Sequence, residues 1–212
     1  MSNQACLFAE ETPAPYNPLN DTKDARTKTL FIAGAAYRIP VFWMFCFAEE
    51  DFVEVPLSES KFSTLVAPTE AVRRRLDARD TLARDFFPDH ADLWLRWRRV
   101  IESIDRSFLK LDPYELWMLC KTEGHLDAEL RLALEWFTCR DDYEFTSLLN
   151  LAGIEDYDDA TRRMLFDEEH SSPERFLIGW LEIDEPKAKT RSNVGRAARK
   201  PRHGRRPGNG KD

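Results

Sequence analysis

The side chains that most often carry chemistry are few in this chain and poorly spaced for it. The histidines are His90, His125, His170 and His203, and none lies three or four positions from another histidine or from a cysteine. A helical zinc pair needs that spacing, because only i, i+3 and i+4 side chains share a helix face. Cys6, Cys46, Cys120 and Cys139 form no CxxC pair, so they read as free thiols rather than a metal clip or a redox motif. The sequence has no GxSxG, HExxH, GxxxxGK[ST] or GxGxxG, which removes the common signatures of hydrolases, zinc proteases, nucleotide triphosphate sites and dinucleotide sites.

Carboxylates are the abundant titratable groups. Glu49-Glu50-Asp51 follows the aromatic run Phe42 to Phe47, and an apolar neighbour can raise a carboxyl into the range of acid and base catalysis. A buried segment emerging into water also ends in charge, and that simpler account is preferred here. His170 beside Glu168 and Glu169 is the best local metal candidate, yet adjacent residues on a helix point in different directions. The sequence therefore supplies no catalytic residue, no metal site and no cofactor, and an enzyme with an unrecognised site is only a third reading.

Charge is more informative. From Lys187 onward ten Lys or Arg face Asp212 alone, giving +9, while residues 1–186 hold 21 basic and 37 acidic side chains, giving -16. The tail 187–212 lacks Leu, Ile, Phe and every other aromatic residue, a composition that reads as disordered because nothing in it can form a core. Its cluster Arg199, Lys200, Arg202, Arg205 and Arg206 suits phosphate or nucleic-acid contact, or else a solubilising tail. In the body the acids concentrate at Asp141, Asp142, Glu144, Glu155, Asp156, Asp158, Asp159, Asp167, Glu168 and Glu169, against only Arg162 and Arg163 in the same stretch. Part of that pattern is ordinary helix punctuation, since acids favour helix N-termini.

The elements that would carry these residues read as helices. Residues 1–28, rich in Pro13, Pro15, Pro18, Asn17 and Asn20, read as an irregular arm. Leu30 to Phe47 is apolar almost throughout and reads as buried, with a central helix over Val41 to Glu49. A short β element is expected within 51–66, where Phe52, Val53, Val55, Phe62 and Leu65 mix with Pro56 and serines. Pro68-Thr69 opens a helical run that Pro88 stops. Leu93, Trp97, Val100, Ile101, Ile104 and Phe108 then make the clearest amphipathic stripe. Asp112-Pro113-Tyr114-Glu115, Asp127, Asp141 and Ser172-Pro173 each mark a further helix start, and Asp156 to Phe166 reads as a weaker helix. The expected fold is all-α: an irregular domain of six to eight helices over 29–186, with an arm before it and a basic tail after it.

Met1 to Glu11 lacks a signal-peptide pattern, and the apolar stretch Ile39 to Ala48 is about half the roughly 20 residues of a membrane helix. The expected location is the cytoplasm, with no membrane contact. Met1-Ser2-Asn3 with Leu7-Phe8, and Ala36-Tyr37-Arg38-Ile39-Pro40-Val41-Phe42-Trp43, resemble an uncharacterised family of small bacterial proteins with an A-Y-x-[IV]-P-x-x-[WY] element. That resemblance covers about the first fifty residues and implies no catalytic residue. The acidic body is similar in style to bacterial immunity proteins, which cover a partner toxin. The expected function is a non-enzymatic protein-binding protein whose acidic residues meet another protein, such as a basic toxin, and the alternative is a regulatory or nucleic-acid-associated protein acting through the tail.

Overall fold

The computed structural model describes residues 4–14, 29–56, 61–118, 124–153 and 172–183. Its framework is a six-stranded, wholly antiparallel sheet in the order β3-β4-β5-β1-β2-β6. The strands are β1 (Gln4–Glu10), β2 (Leu30–Ala36), β3 (Phe52–Pro56), β4 (Lys61–Pro68), β5 (Phe108–Asp112) and β6 (Trp180–Leu181). The helices are α1 (Val41–Met44), α2 (Thr69–Ala78), α3 (Asp80–Phe86), α4 (Ala91–Ser103), α5 (Tyr114–Trp117), α6 (His125–Cys139), α7 (Asp142–Leu151) and α8 (Pro173–Leu177).

The all-α expectation is thus corrected to α+β, because a sheet and not a helix bundle carries the core. Gln4–Glu10, assigned above to an irregular arm, is a central strand flanked by β2 and β5. Its burial alternates strictly, with Ala5, Leu7 and Ala9 inside. Two of those three are alanines, whose small apolar surface leaves the period-2 signal weak beside the prolines that follow. Phe108, read as the last residue of an amphipathic stripe, instead opens β5, because α4 stops at Ser103. The β element expected within 51–66 is the β3-β4 hairpin of this larger sheet.

One face of the sheet is the apolar floor of the core. Ala5, Leu7 and Ala9 join Leu109, Leu111, Leu65 and Ala67 in a single cluster with the helices. Above them Val41 to Phe47 is fully buried, although only its first four residues are helical. The aromatic rings there interlock, Phe42 with Trp94 at 5.1 Å and Phe45 with Phe137 at 4.8 Å edge to face, and Phe45 with Trp94 at 5.2 Å in a tilted pair, between centroids. Such contacts add about 0.5–1.5 kcal/mol per pair to the area term. Cys46 lies among them as a buried thiol, with burial pushing its pKa up to about 12.

The opposite face alternates in chemistry. Val66, Lys110, Phe8 and Phe31 form one cross-strand row, and Asp112, Cys6 and Gly34 form the next. Trp180 ends that second row. A Cβ on Gly34 would sit 2.4 Å from its ring, so the indole lies flat on the strand only because residue 34 has no side chain.

Candidate functional site

Arg38 is the one charged residue in the apolar segment Leu30 to Ala48, and it lines two clefts. It sits in the turn between β2 and α1. Tyr37 before it adopts φ 59° and leaves its ring 66% exposed; a non-glycine residue in this left-handed region costs about 1 kcal/mol. The turn is held in place by its neighbours: Ile39 N donates to Leu151 O at 2.7 Å, tying it to the end of α7.

The Arg38 side chain is itself fixed. Its Nε donates to Ala36 O at 3.2 Å, and its guanidinium stacks 4.4 Å from the Phe176 ring centroid on α8. Burial, and then the nearby Arg175, lower its pKa from the ordinary arginine value. Trp43 Nε1 donates to Ile178 O at 2.9 Å, which fastens the α8-β6 connection to α1. Gly179 at φ +71° completes that connection, and a Cβ there would lie 2.5 Å from Gly34 O.

Arg38 lines two cavities. The first, of about 370 Å³, places Tyr37 and Arg38 with His125 and Glu129 of α6 and Asn150 of α7. One Glu129 carboxylate oxygen is buried there with no hydrogen-bond partner among the described residues. The second, of about 460 Å³, lies over Ala35 and Ala36 and is bounded by Arg38, Arg175 and Trp180. Both volumes fall in the usual range for small-molecule sites. Histidine and glutamate one helical turn apart can share a proton donor or hold a polar ligand, but the described residues bring no nucleophile beside them.

A second polar group lies on the far face of the sheet. Asp112 is 8% exposed and faces Cys6 across β5-β1. Burial pushes its carboxyl up to about 6, Glu115 pushes the same way, and the hydrogen bond from Tyr114 N opposes them. Burial, then Asp112 and Glu115, push the Cys6 thiol up to about 12. A thiol held protonated is neither a good nucleophile nor a ready metal ligand. The Asp112 shift carries a stability consequence. Its folded pKa lies above the unfolded value of 3.8, so the folded state binds the extra proton, and stability falls as pH rises from about 4 to about 6. Asp112→Asn keeps the acceptor for Tyr114 N and should raise stability at pH 8 by about 1–3 kcal/mol, with little gain at pH 4. Urea titrations of both proteins at the two pH values measure this, and an equal effect at both would refute it.

The residues singled out in the sequence fall elsewhere. Asp141 caps α7 by accepting from Tyr143 N at 3.1 Å. Asp141 and Asp142 are exposed at that helix start, and Glu144 is half-buried. Asn150 lies at the other end of α7, so this acidic corner and the Arg38 cleft are roughly 14 Å apart along the helix. Glu155, Asp156, Asp158, Asp159, Asp167, Glu168 and Glu169 lie outside the described residues, as do His170, Cys120 and the basic cluster Arg199, Lys200, Arg202, Arg205 and Arg206. Glu49-Glu50-Asp51 forms a 3-10 turn in which Asp51 is buried and paired with Arg75 at 2.5 Å, a structural use of those acids. Among the described residues no group of three His, Cys, Asp or Glu could hold a metal ion, and no helix is long and apolar enough to cross a membrane.

The fold defines a six-stranded antiparallel sheet with most of the described helices on the face of Leu7 and Leu65, the short α5 against Phe62 on the other, and a cleft at the β2-α1 turn. No family model, curated protein or solved structure matches the chain.

Proposed function

We propose that the chain is a binding protein whose partner is a basic protein, of the inhibitor or immunity type. The supporting observation is the start of α7, where Tyr143 is 67% exposed between Asp142 and Glu144. An exposed tyrosine ringed by acids combines the two features that interfaces use: a rigid aromatic anchor for affinity and a negative field for steering. Asp141 and Asp142 make no ion pair among the described residues, and seven further acids lie within 155–169. The first-fifty-residue resemblance supplies no residue roles to this reading.

Tyr143→Ala and Asp142→Lys separate the anchor from the field. Both side chains are exposed, so Tyr143→Ala should cost no more than about 0.5 kcal/mol of stability and Asp142→Lys, which reverses a charge at a helix N-terminus, about 1 kcal/mol. Pull-down from the source cell with the wild type should recover a basic protein at low salt and lose it at high salt. Tyr143→Ala should weaken capture by a similar factor at each salt concentration where the wild type still captures, whereas Asp142→Lys should weaken it mainly at low salt. Recovery of the same partner by both variants at wild-type levels would remove this surface from the proposal.

A further inference from the structure

The cavity between Arg38 and Arg175 is not used by the binding reading above, and its chemistry is specific. Two guanidinium groups bound it, and among the described residues neither makes an ion pair. Arg38 spends only its Nε, on Ala36 O, so its two Nη groups find no acceptor among the described residues. The Phe176 ring on one side and the strained Tyr37 backbone on the other fix where that guanidinium stands. Arg175 is exposed on α8 and lies close enough to disfavour the charge on Arg38. Two like charges brought to one cavity are an unfavourable arrangement that an anion between them would relieve.

The remaining walls are apolar and flat. The Trp180 indole is pressed on Gly34, and the small side chains of Ala35 and Ala36 leave the floor open. Trp180 presents a ring face on which a second flat group can stack. The forked donors of arginine match the oxygens of a carboxylate or a phosphate in pairs, as a point charge does not. From this arrangement we propose that the Arg38–Arg175–Trp180 cavity is a binding site for a small oxyanion, a carboxylate or phosphate monoester attached to a flat ring. The oxyanion lies between the two guanidiniums and the ring lies against Trp180.

Phenyl phosphate and inorganic phosphate are the probes, titrated into the full chain while the indole N–H resonance of Trp180 is followed by nitrogen-15 NMR. Trp180→Phe assigns that resonance. Phenyl phosphate should shift it saturably, and inorganic phosphate should bind about tenfold more weakly for lack of a ring. Arg38→Gln and Arg175→Gln should each weaken phenyl phosphate by at least about tenfold. Arg131→Gln, at a surface arginine on α6 paired with Glu49, should leave binding unchanged. Arg175 is exposed and its replacement does not threaten the fold, so a folded Arg175→Gln protein with unaltered affinity would overturn the proposal. So would the absence of a saturable shift at millimolar phenyl phosphate. Binding that emerges only after Asp156, Asp158 and Asp159 are changed to Asn would overturn it too, because the arginines would then belong to the chain's own carboxylates.

Discussion

Replacing Arg79 by alanine should lower the unfolding free energy by about 4 kcal/mol at pH 7, one of the two largest effects expected of a single substitution in this fold. Arg79 lies at the junction of α2 and α3 and reaches into the layer of buried aromatics. One of its nitrogens, Nη1, donates to Phe45 O and Phe47 O at 2.8 Å each, and to Met44 O at 3.4 Å. The Phe45 and Phe47 carbonyls follow the single turn of α1, where no further helix exists to satisfy them, whereas Met44 O also accepts from Phe47 N. The guanidinium also stacks 3.8 Å from the Phe137 ring centroid on α6. Burial, then Arg75, lower its pKa to about 10, which still leaves it cationic at pH 7. Alanine therefore orphans the Phe45 and Phe47 carbonyls and deletes the stacking contact. Lysine should recover less than half of the loss, since its ammonium can reach the carbonyls but cannot lie flat on the Phe137 ring or fill the same buried space. Arg74→Ala, one turn earlier and exposed, should change stability by no more than about 0.5 kcal/mol. Urea denaturation with an unchanged m-value measures all three, and a loss under about 1.5 kcal/mol for Arg79→Ala would show that the carbonyls find other donors.

The helices were legible because their signals are strong and local. The stripe through Leu93, Trp97, Val100 and Ile101 is α4, Asp141 caps α7, and Ser172-Pro173 opens α8. The sheet was hidden because its central strands break the pattern rules. β1 turns alanines inward at two of its three buried positions. β5 carries a buried lysine and a buried aspartate, Lys110 and Asp112, which a reading by alternation discounts as surface. The pairing that makes them a sheet joins Gln4–Glu10 to Phe108–Asp112, and nothing local to either segment reports the other. The cleft was half legible. Arg38 stands out as a lone charge in an apolar run, but Arg175, Glu129 and Trp180 meet it only through the fold.

The internal use of arginine also explains how a body at -16 comes to show its acids. Arg75 is taken up by Asp51 and Glu50, and Arg98 by Asp77 and Asp80. Asp80 additionally accepts from Trp94 Nε1 at 2.7 Å, so part of the basic complement is committed to placing core elements. Basic side chains used this way do not neutralise Asp141 and Asp142, and the start of α7 keeps the negative field on which the binding proposal depends.

The same logic makes Lys110 and Glu10 the second large effect. Lys110 is 1% exposed in the middle of the sheet. Its ammonium bonds the Glu10 carboxylate and Ala14 O, the latter at 2.5 Å, while Glu10 also accepts from Thr29 Oγ1 at 2.6 Å. The Glu10 side chain keeps 18% of its surface in water, so the two partners are not equivalent. Glu10→Leu strands a buried ammonium and should cost about 3–5 kcal/mol. Lys110→Met should cost less, because the carboxylate left behind still reaches solvent and the methionine can pack against Phe8 and Val66 in the same cross-strand row. The double variant should return to within about 1 kcal/mol of the wild type, since replacing both charges removes the desolvation cost that each single change exposes. Urea unfolding of the four proteins closes a double-mutant cycle with a strongly favourable coupling. If the double variant were as unstable as the two single losses added together, the pair would be two independent packing residues rather than one buried ionic unit.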